Sequence, residues 1–281
     1  MNQFGGDWTE KKIEILVEYA GAYLQIMKAH PYWKQMYFDG FAGSGFIFKE
    51  TDLDILVGAA LRIISIENPK SFDEFYFVEK KKKNFENLRS TITQQYPNKT
   101  VHFVREDCNN KLIDLSDFLK TQKGKNYKIL AYIDPCGMQL NWESIESFAD
   151  VKGIDVWVLV PTGLGVNRLL KRDGNISEEW LEKLKNFLGL PEKEIIEYFY
   201  HEEVENTLFG EISKSIKETK AIEKSAVLYK KRLKEVFEFV TEPFILKNKV
   251  NSTMFHYYMC SQNKTAYKIA SDIIKKYNKM I

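Results

Sequence analysis

At 281 residues, 44% hydrophobic and 14% aromatic, the chain has the apolar content for a sizeable core, and its length suits one large α/β domain with an elaboration. Forty-one Lys and Arg against 39 Asp and Glu leave a formal charge of +2, so net charge does not indicate a nucleic-acid partner. The opening MNQFGGDW lacks a charged segment followed by an apolar one, and no run of about 18 apolar residues occurs, which predicts a cytoplasmic protein without membrane contact. Three cysteines (Cys108, Cys136, Cys260) are too few and too scattered for a disulfide framework, and the four histidines have no ligand spacing, so no metal is expected.

After Asp7, a candidate N-cap, apolar residues at Ile13, Leu16, Val17, Ala20, Tyr23, Leu24 and Met27 share one face of an N-terminal helix. His30-Pro31 ends it. A short buried strand at 36–39 closes on Asp39 and runs into Gly40-Phe41-Ala42-Gly43-Ser44-Gly45. Glycine tolerates positive φ and close backbone approach, so this turn suits a nucleotide-like cofactor. Residues 46–54 read as a loop insertion, and LDILVGAALRIISI as the first crossover helix. FDEFYFVEK is a second strand ending at Glu79, followed by a helix, and TVHFVRED a third ending at Asp107. CNNKLIDLSDFLKTQ is helical, GKNY a polar loop, and YKILAYIDPCG a fourth strand broken at Asp134-Pro135. A helix near NWESIESFAD leads to a fifth buried strand, IDVWVLVPTG.

From Leu164 to about Lys234 the chain turns polar and helical, too long for a crossover, and reads as a helical insertion within a single domain spanning 1–281. FEFVTEPFILKN and STMFHYYMCSQ are late, antiparallel strands, and KTAYKIASDIIKKYNKM is a closing helix. The whole predicts a Rossmann-like α/β fold with a mostly parallel sheet, an antiparallel late strand, an N-terminal helix and a helical insertion.

Asp39, Glu79, Asp107 and Asp134 close four successive strands, and in an open parallel sheet such positions line one crevice. Glu79 is placed for ribose hydroxyls, with Val78 beside an adenine face; Asp107 is placed for an adenine amino group, with the Cys108 backbone as a donor. A single strand-end Asp is more often a helix cap. A dinucleotide is disfavoured: the turn reads Gly-x-x-Gly-x-Gly, and Glu79 follows Asp39 by 40 positions where the fingerprint expects about 20. No helix begins directly after Gly45 to hold a pyrophosphate. A phosphate-free adenosyl cofactor, S-adenosylmethionine, fits better. The set expected to hold it is Asp39, Gly40, Phe41, Ala42, Gly43, Gly45, Glu79, Lys80, Asp107, Cys108 and Asp134.

DGFAGSG, FVEK, EDCNN and IDPCG, with WTEKK near the start and VPTG after the fifth strand, resemble the three-Cys-motif partner (TcmP) proteins. The resemblance is closest from Trp8 to Gly163 and extends to the closing HYYMCSQNKTAYKIASDI. It implies a bacterial protein with the class I S-adenosylmethionine-dependent methyltransferase fold, and a protein partner that carries the three cysteines. It names no methyl acceptor. In amino-methylating relatives the fourth strand ends in an acidic residue, two prolines and an aromatic; here Cys136 replaces the aromatic, which weakens the case for adenine methylation.

On this reading the catalytic positions are Asp134, Pro135 and Cys136. Asp134 would orient or deprotonate the acceptor nitrogen or oxygen, because methyl transfer is a direct displacement that needs alignment above all. Pro135-Cys136 also matches the Pro-Cys pair of cytosine methyltransferases, where a thiolate attacks the ring; an inert cysteine is the simpler account. Competing readings are a cofactor-binding adaptor without turnover, a nucleic-acid base methyltransferase, and a nucleotide-dependent oxidoreductase. The run Glu79 to Lys83 reads as a solvated helix start, Arg168, Lys171 and Arg172 as a weak basic cluster, and Trp142 as a packing residue. Trp8, Lys11 and Lys12 are read as docking the first helix, or as a lid over the cofactor.

Overall fold

The computed structural model describes residues 7–48, 55–207 and 210–279. Helix α1 (Asp7–Lys28) ends just before His30-Pro31 and buries Ile15, Leu16, Tyr19, Ala20 and Leu24. Strand β1 (Lys34–Asp39) follows, longer by two residues than predicted and buried from Gln35 onward. The stretch expected to be a loop opens and closes as an antiparallel ribbon, β2 (Phe46–Phe48) against β3 (Ile55–Val57); residues 49–54 lie outside the described residues. The ribbon takes Ile55, Leu56 and Val57 from the predicted crossover helix, as β-branched residues ahead of a glycine favour. What remains is the short α2 (Ala59–Ile64).

The next units alternate as predicted: β4 (Glu74–Val78), α3 (Lys82–Gln95), β5 (Val101–Val104), α4 (Cys108–Lys120), β6 (Tyr127–Ile133), α5 (Trp142–Glu146) and β7 (Ile154–Val160). β7 is buried at every residue, as a central strand covered on both faces must be. Residues 164–234 hold α6 (Asn167–Leu169), α7 (Glu178–Leu188), α8 (Glu192–Phe199) and α9 (Ala221–Val236), and also a hairpin of β8 (Tyr200–Thr207) and β9 (Gly210–Lys217). The stretch read as a helical insertion thus carries a hairpin beside its helices: HEEVEN has no apolar alternation, so its strand was not legible as one. The chain ends with β10 (Phe239–Val240), β11 (Phe244–Lys247), β12 (Thr253–Ser261) and α10 (Lys264–Asn278).

The main sheet runs β10-β12-β7-β6-β1-β4-β5, with β11 also on β12. β1, β4, β5, β6 and β7 are mutually parallel, while β12 runs antiparallel to β7. β10 and β11 are two pieces of one edge, interrupted at Thr241-Glu242-Pro243, and Pro243 cannot donate to a ladder. This is a Rossmann-like α/β sheet, mostly parallel with an antiparallel late strand. Alternation along the strands makes two cores. Phe38, Ile133, Val158 and Tyr258 face α4, α5, α7 and α9; Tyr37, Tyr132, Trp157 and Tyr257 face α1, α2, α3 and α10.

Candidate functional site

The carboxyl end of β1 is built by hydrogen bonds that leave Asp39 nowhere to go. Its Oδ1 accepts the Phe41 N–H at 3.2 Å and its Oδ2 the Tyr37 hydroxyl at 3.2 Å. The Gly40 N–H donates to the Tyr132 carbonyl at 2.9 Å and the Ala42 N–H to the Val78 carbonyl at 3.0 Å, pinning the turn between β6 and β4. Gly43 (φ +65°) and Gly45 (φ +83°) take the left-handed conformation that other residues resist. Gly40 answers a different need: a Cβ there would stand 2.4 Å from the Cys108 sulfur. The ribbon returns to the turn at Gly58, whose N–H donates to the Gly45 carbonyl at 2.8 Å.

Asp39, Glu79 and Asp134 all sit on the α1 face of the sheet, in phase with Tyr37, Phe77 and Tyr132. Burial pushes the Asp39 carboxyl up to about 7; the Phe41 N–H and Tyr37 hydroxyl oppose that shift, while the charges of Asp134 and Glu79 add to it. So Asp39 feels two further carboxylates from beside the glycine turn. Glu79 accepts the Lys81 N–H at 2.6 Å, which organises the start of α3. Val78, expected beside an adenine, is instead fully buried in the core.

Asp107 caps α4, its Oδ1 accepting from the Asn109 backbone and side chain, both at 2.9 Å. Its Oδ2 accepts from Lys80 at 2.9 Å. Partial burial raises this carboxyl, but Lys80 and the Asn109 donors outweigh it and hold it below the usual range. The helix-cap alternative is thus what Asp107 does in this structure. The Cys108 side chain lies buried against Gly40, and burial, with Asp39 and Asp107 nearby, pushes its thiol up.

At the end of β6, the Asp134 Oδ2 accepts from the Tyr132 hydroxyl at 2.9 Å and from the Lys12 ammonium at 2.5 Å. Lys12 is buried and Asp134 partly so, at 7% and 22% side-chain exposure. Docking of α1 therefore delivers a cation to the position read as catalytic. Pro135 is buried, while Cys136 is exposed at a turn that Gly137 completes at φ +83°. Crowding by protein atoms and the Asp134 charge push the Cys136 thiol up, Lys12 and Lys81 opposing, so the thiolate needed for attack on a ring is disfavoured. Trp142 is a packing residue, edge-on to Tyr229 and beneath the Arg232 guanidinium. Lys171, of the basic cluster, lies over the Trp180 ring at 4.6 Å.

Two positioning residues are absent from the sequence-based set. Lys12 shares the buried stripe of α1 with Leu16 and Tyr19, and a lysine on an apolar stripe is the signal that marks it. Asn109 holds the loop after β6: its Nδ2 donates to the Gln139 carbonyl at 2.9 Å, and its Oδ1 accepts from the Asn141 N–H at 2.8 Å and the Ser144 hydroxyl at 2.9 Å. An asparagine at the second helical position behind the Asp107 cap is the trace of this in EDCNN.

Among the described residues no helix is long and apolar enough to cross a membrane, and no group of His, Cys, Asp or Glu could hold a metal ion. No protein-family model and no curated protein matches the chain. Among solved structures it is similar to a Legionella pneumophila protein of the DUF519 family, at 14% identity, over 90% of this chain and 97% of that one, with a TM-score of 0.40. Trm1 from Pyrococcus horikoshii, in complex with S-adenosyl-L-methionine, is 10% identical over 96% of this chain and 72% of its own, with a TM-score of 0.41. An S-adenosylmethionine-dependent methyltransferase from Clostridium acetobutylicum is 11% identical over 87% and 90%, with a TM-score of 0.37.

Proposed function

We propose that the chain binds S-adenosylmethionine over the carboxyl ends of β1, β4, β5 and β6 and transfers its methyl group to a nitrogen or oxygen of an acceptor at Asp134. One observation carries the reading: Asp39, Glu79 and Asp134 converge on a glycine turn from which no helix starts. Such a site favours a ligand with positive charge and no phosphate. A sulfonium with an α-ammonium group is such a ligand, and it supplies an activated methyl when bound. Asp39, Gly40, Phe41, Ala42, Gly43 and Gly45 would cradle its amino-acid end, Glu79 its ribose, and Lys80, Asp107 and Cys108 would border its base. The chain's own part in the chemistry is alignment, with Asp134 and Tyr132 orienting the acceptor and Asp134 taking up or passing on its proton.

The motifs from Trp8 to Gly163 and their resemblance to the three-Cys-motif partner proteins support the same cofactor and add a protein partner. A second reading, a cofactor-binding adaptor without turnover, is favoured by one observation: Lys12 already occupies Asp134. Calorimetric titration with S-adenosylmethionine, S-adenosylhomocysteine and NAD tests the main reading. Binding of the first two and not of NAD is expected, and failure of both adenosyl ligands to bind overturns it. Binding with no S-adenosylhomocysteine formed from nucleic-acid, peptide or small-amine pools favours the adaptor.

A further inference from the structure

The corner between the first turns of α1 and the end of β6 is built for one particular chemical group. Asp134 accepts from an alkyl ammonium, that of Lys12, at 2.5 Å, and from the Tyr132 hydroxyl at 2.9 Å. Asp39 lies within electrostatic reach of both Asp134 and Glu79, so two further carboxylates stand near the ammonium contact. The Tyr257 hydroxyl is buried, has no hydrogen-bond partner among the described residues and feels the charges of both Asp134 and Asp39. The buried hydroxyl of Thr9, one helical turn before Lys12 on α1, likewise has no partner among the described residues. Buried hydroxyls without partners in a native site call for a ligand or water.

We infer that Asp134, Tyr132 and the flanking hydroxyls form an alkylammonium-binding site, filled in this structure by Lys12, for which an acceptor presenting a primary alkyl amine competes. The inference rests on the proposed methyl transfer and names its acceptor class. A neutral exocyclic amine of a base, put in place of Lys12, would leave Asp134 without its ion-pair partner, whereas an alkylammonium replaces charge with charge. Lys12 is then a positioning residue that holds the cradle closed until the acceptor displaces it.

The test uses n-butylammonium chloride as the probe and thermal unfolding as the first readout. Without any cofactor, the probe should raise the midpoint of Lys12→Ala by about 3 °C at ten times its dissociation constant. Wild type, where the probe must first displace Lys12, should respond less than Lys12→Ala, the double variant Lys12→Ala/Asp134→Asn should not respond, nor should Lys12→Ala respond to 1-butanol or sodium chloride at equal concentration. An equal shift in the double variant or with either control, or no shift in Lys12→Ala, overturns the inference. If Lys12→Ala does not fold, Lys12→Gln, which keeps a donor but no charge, takes its place with a smaller shift expected. Calorimetry with S-adenosylmethionine on the same proteins separates the two claims: cofactor binding without a butylammonium response rejects the alkylammonium site alone, and loss of both rejects the proposed function as well.

Discussion

Two neighbouring strands end in the same pattern, Tyr37-Phe38-Asp39 on β1 and Tyr132-Ile133-Asp134 on β6, and the two carboxylates meet opposite fates. In the ladder Asp39 pairs with Tyr132, so Asp134 stands two residues further out. Asp39 is 1% exposed and finds only a backbone N–H and a phenol, and its carboxyl is pushed up to about 7. Asp134, at the rim, meets the Lys12 ammonium. Similar local chemistry is thus split into a buried carboxyl held by neutral donors and one already holding a cation. The difference comes from depth in the sheet and from α1, a helix more than a hundred residues away along the chain.

Breaking the occupied side should have the largest effect. Lys12→Ala leaves a partly buried carboxylate without its cation and should lower stability by about 3 kcal/mol in denaturant titration. Adding Asp134→Asn should recover most of that loss, giving a coupling energy well above the additive limit of about 0.5 kcal/mol. Simple additivity would mean that the contact contributes nothing specific.

Removing the charge of Asp39 sharpens the other side. The carboxyl keeps its proton to about pH 7 when folded, against an ordinary value of 3.8. Between those values the folded chain binds more protons than the unfolded chain, so this group costs stability as pH rises from about 4 to 7. Asp39→Asn should therefore gain about 4 kcal/mol over wild type at pH 8 and almost nothing at pH 4. A cationic cofactor binds the ionised form, so wild-type affinity for S-adenosylmethionine should be about tenfold higher at pH 8 than at pH 6. The slope should vanish in Asp39→Asn, and a slope that survives there assigns the proton to another group.

Cys136→Ser should do least. With its thiol pushed up and exposed at the loop, the substitution should change cofactor affinity and any turnover by less than about twofold. Abolished turnover in that variant would reinstate the thiolate route.

Much of the fold was legible in the residues. Short, β-branched, mostly apolar runs such as IDVWVLV read as central strands, a glycine turn after an acidic strand end marks the mouth of a parallel sheet, and the amphipathic α1 and α10 carry clear helical periodicity. The β2–β3 ribbon and the β8–β9 hairpin were not, because their pairing is made across residues with no alternating apolar face.

By itself the sequence determined the glycine turn and the strand-end carboxylates, since strand alternation and chain direction place every such residue at the same end of the sheet. Only the tertiary structure decided that Asp107 is spent on capping α4, that Cys108 is walled in behind Gly40, and that Lys12 reaches Asp134. Those are contacts between segments far apart in the chain, and which charge meets which depends on how deeply each strand end is buried and on where a helix docks. No local pattern encodes that distance.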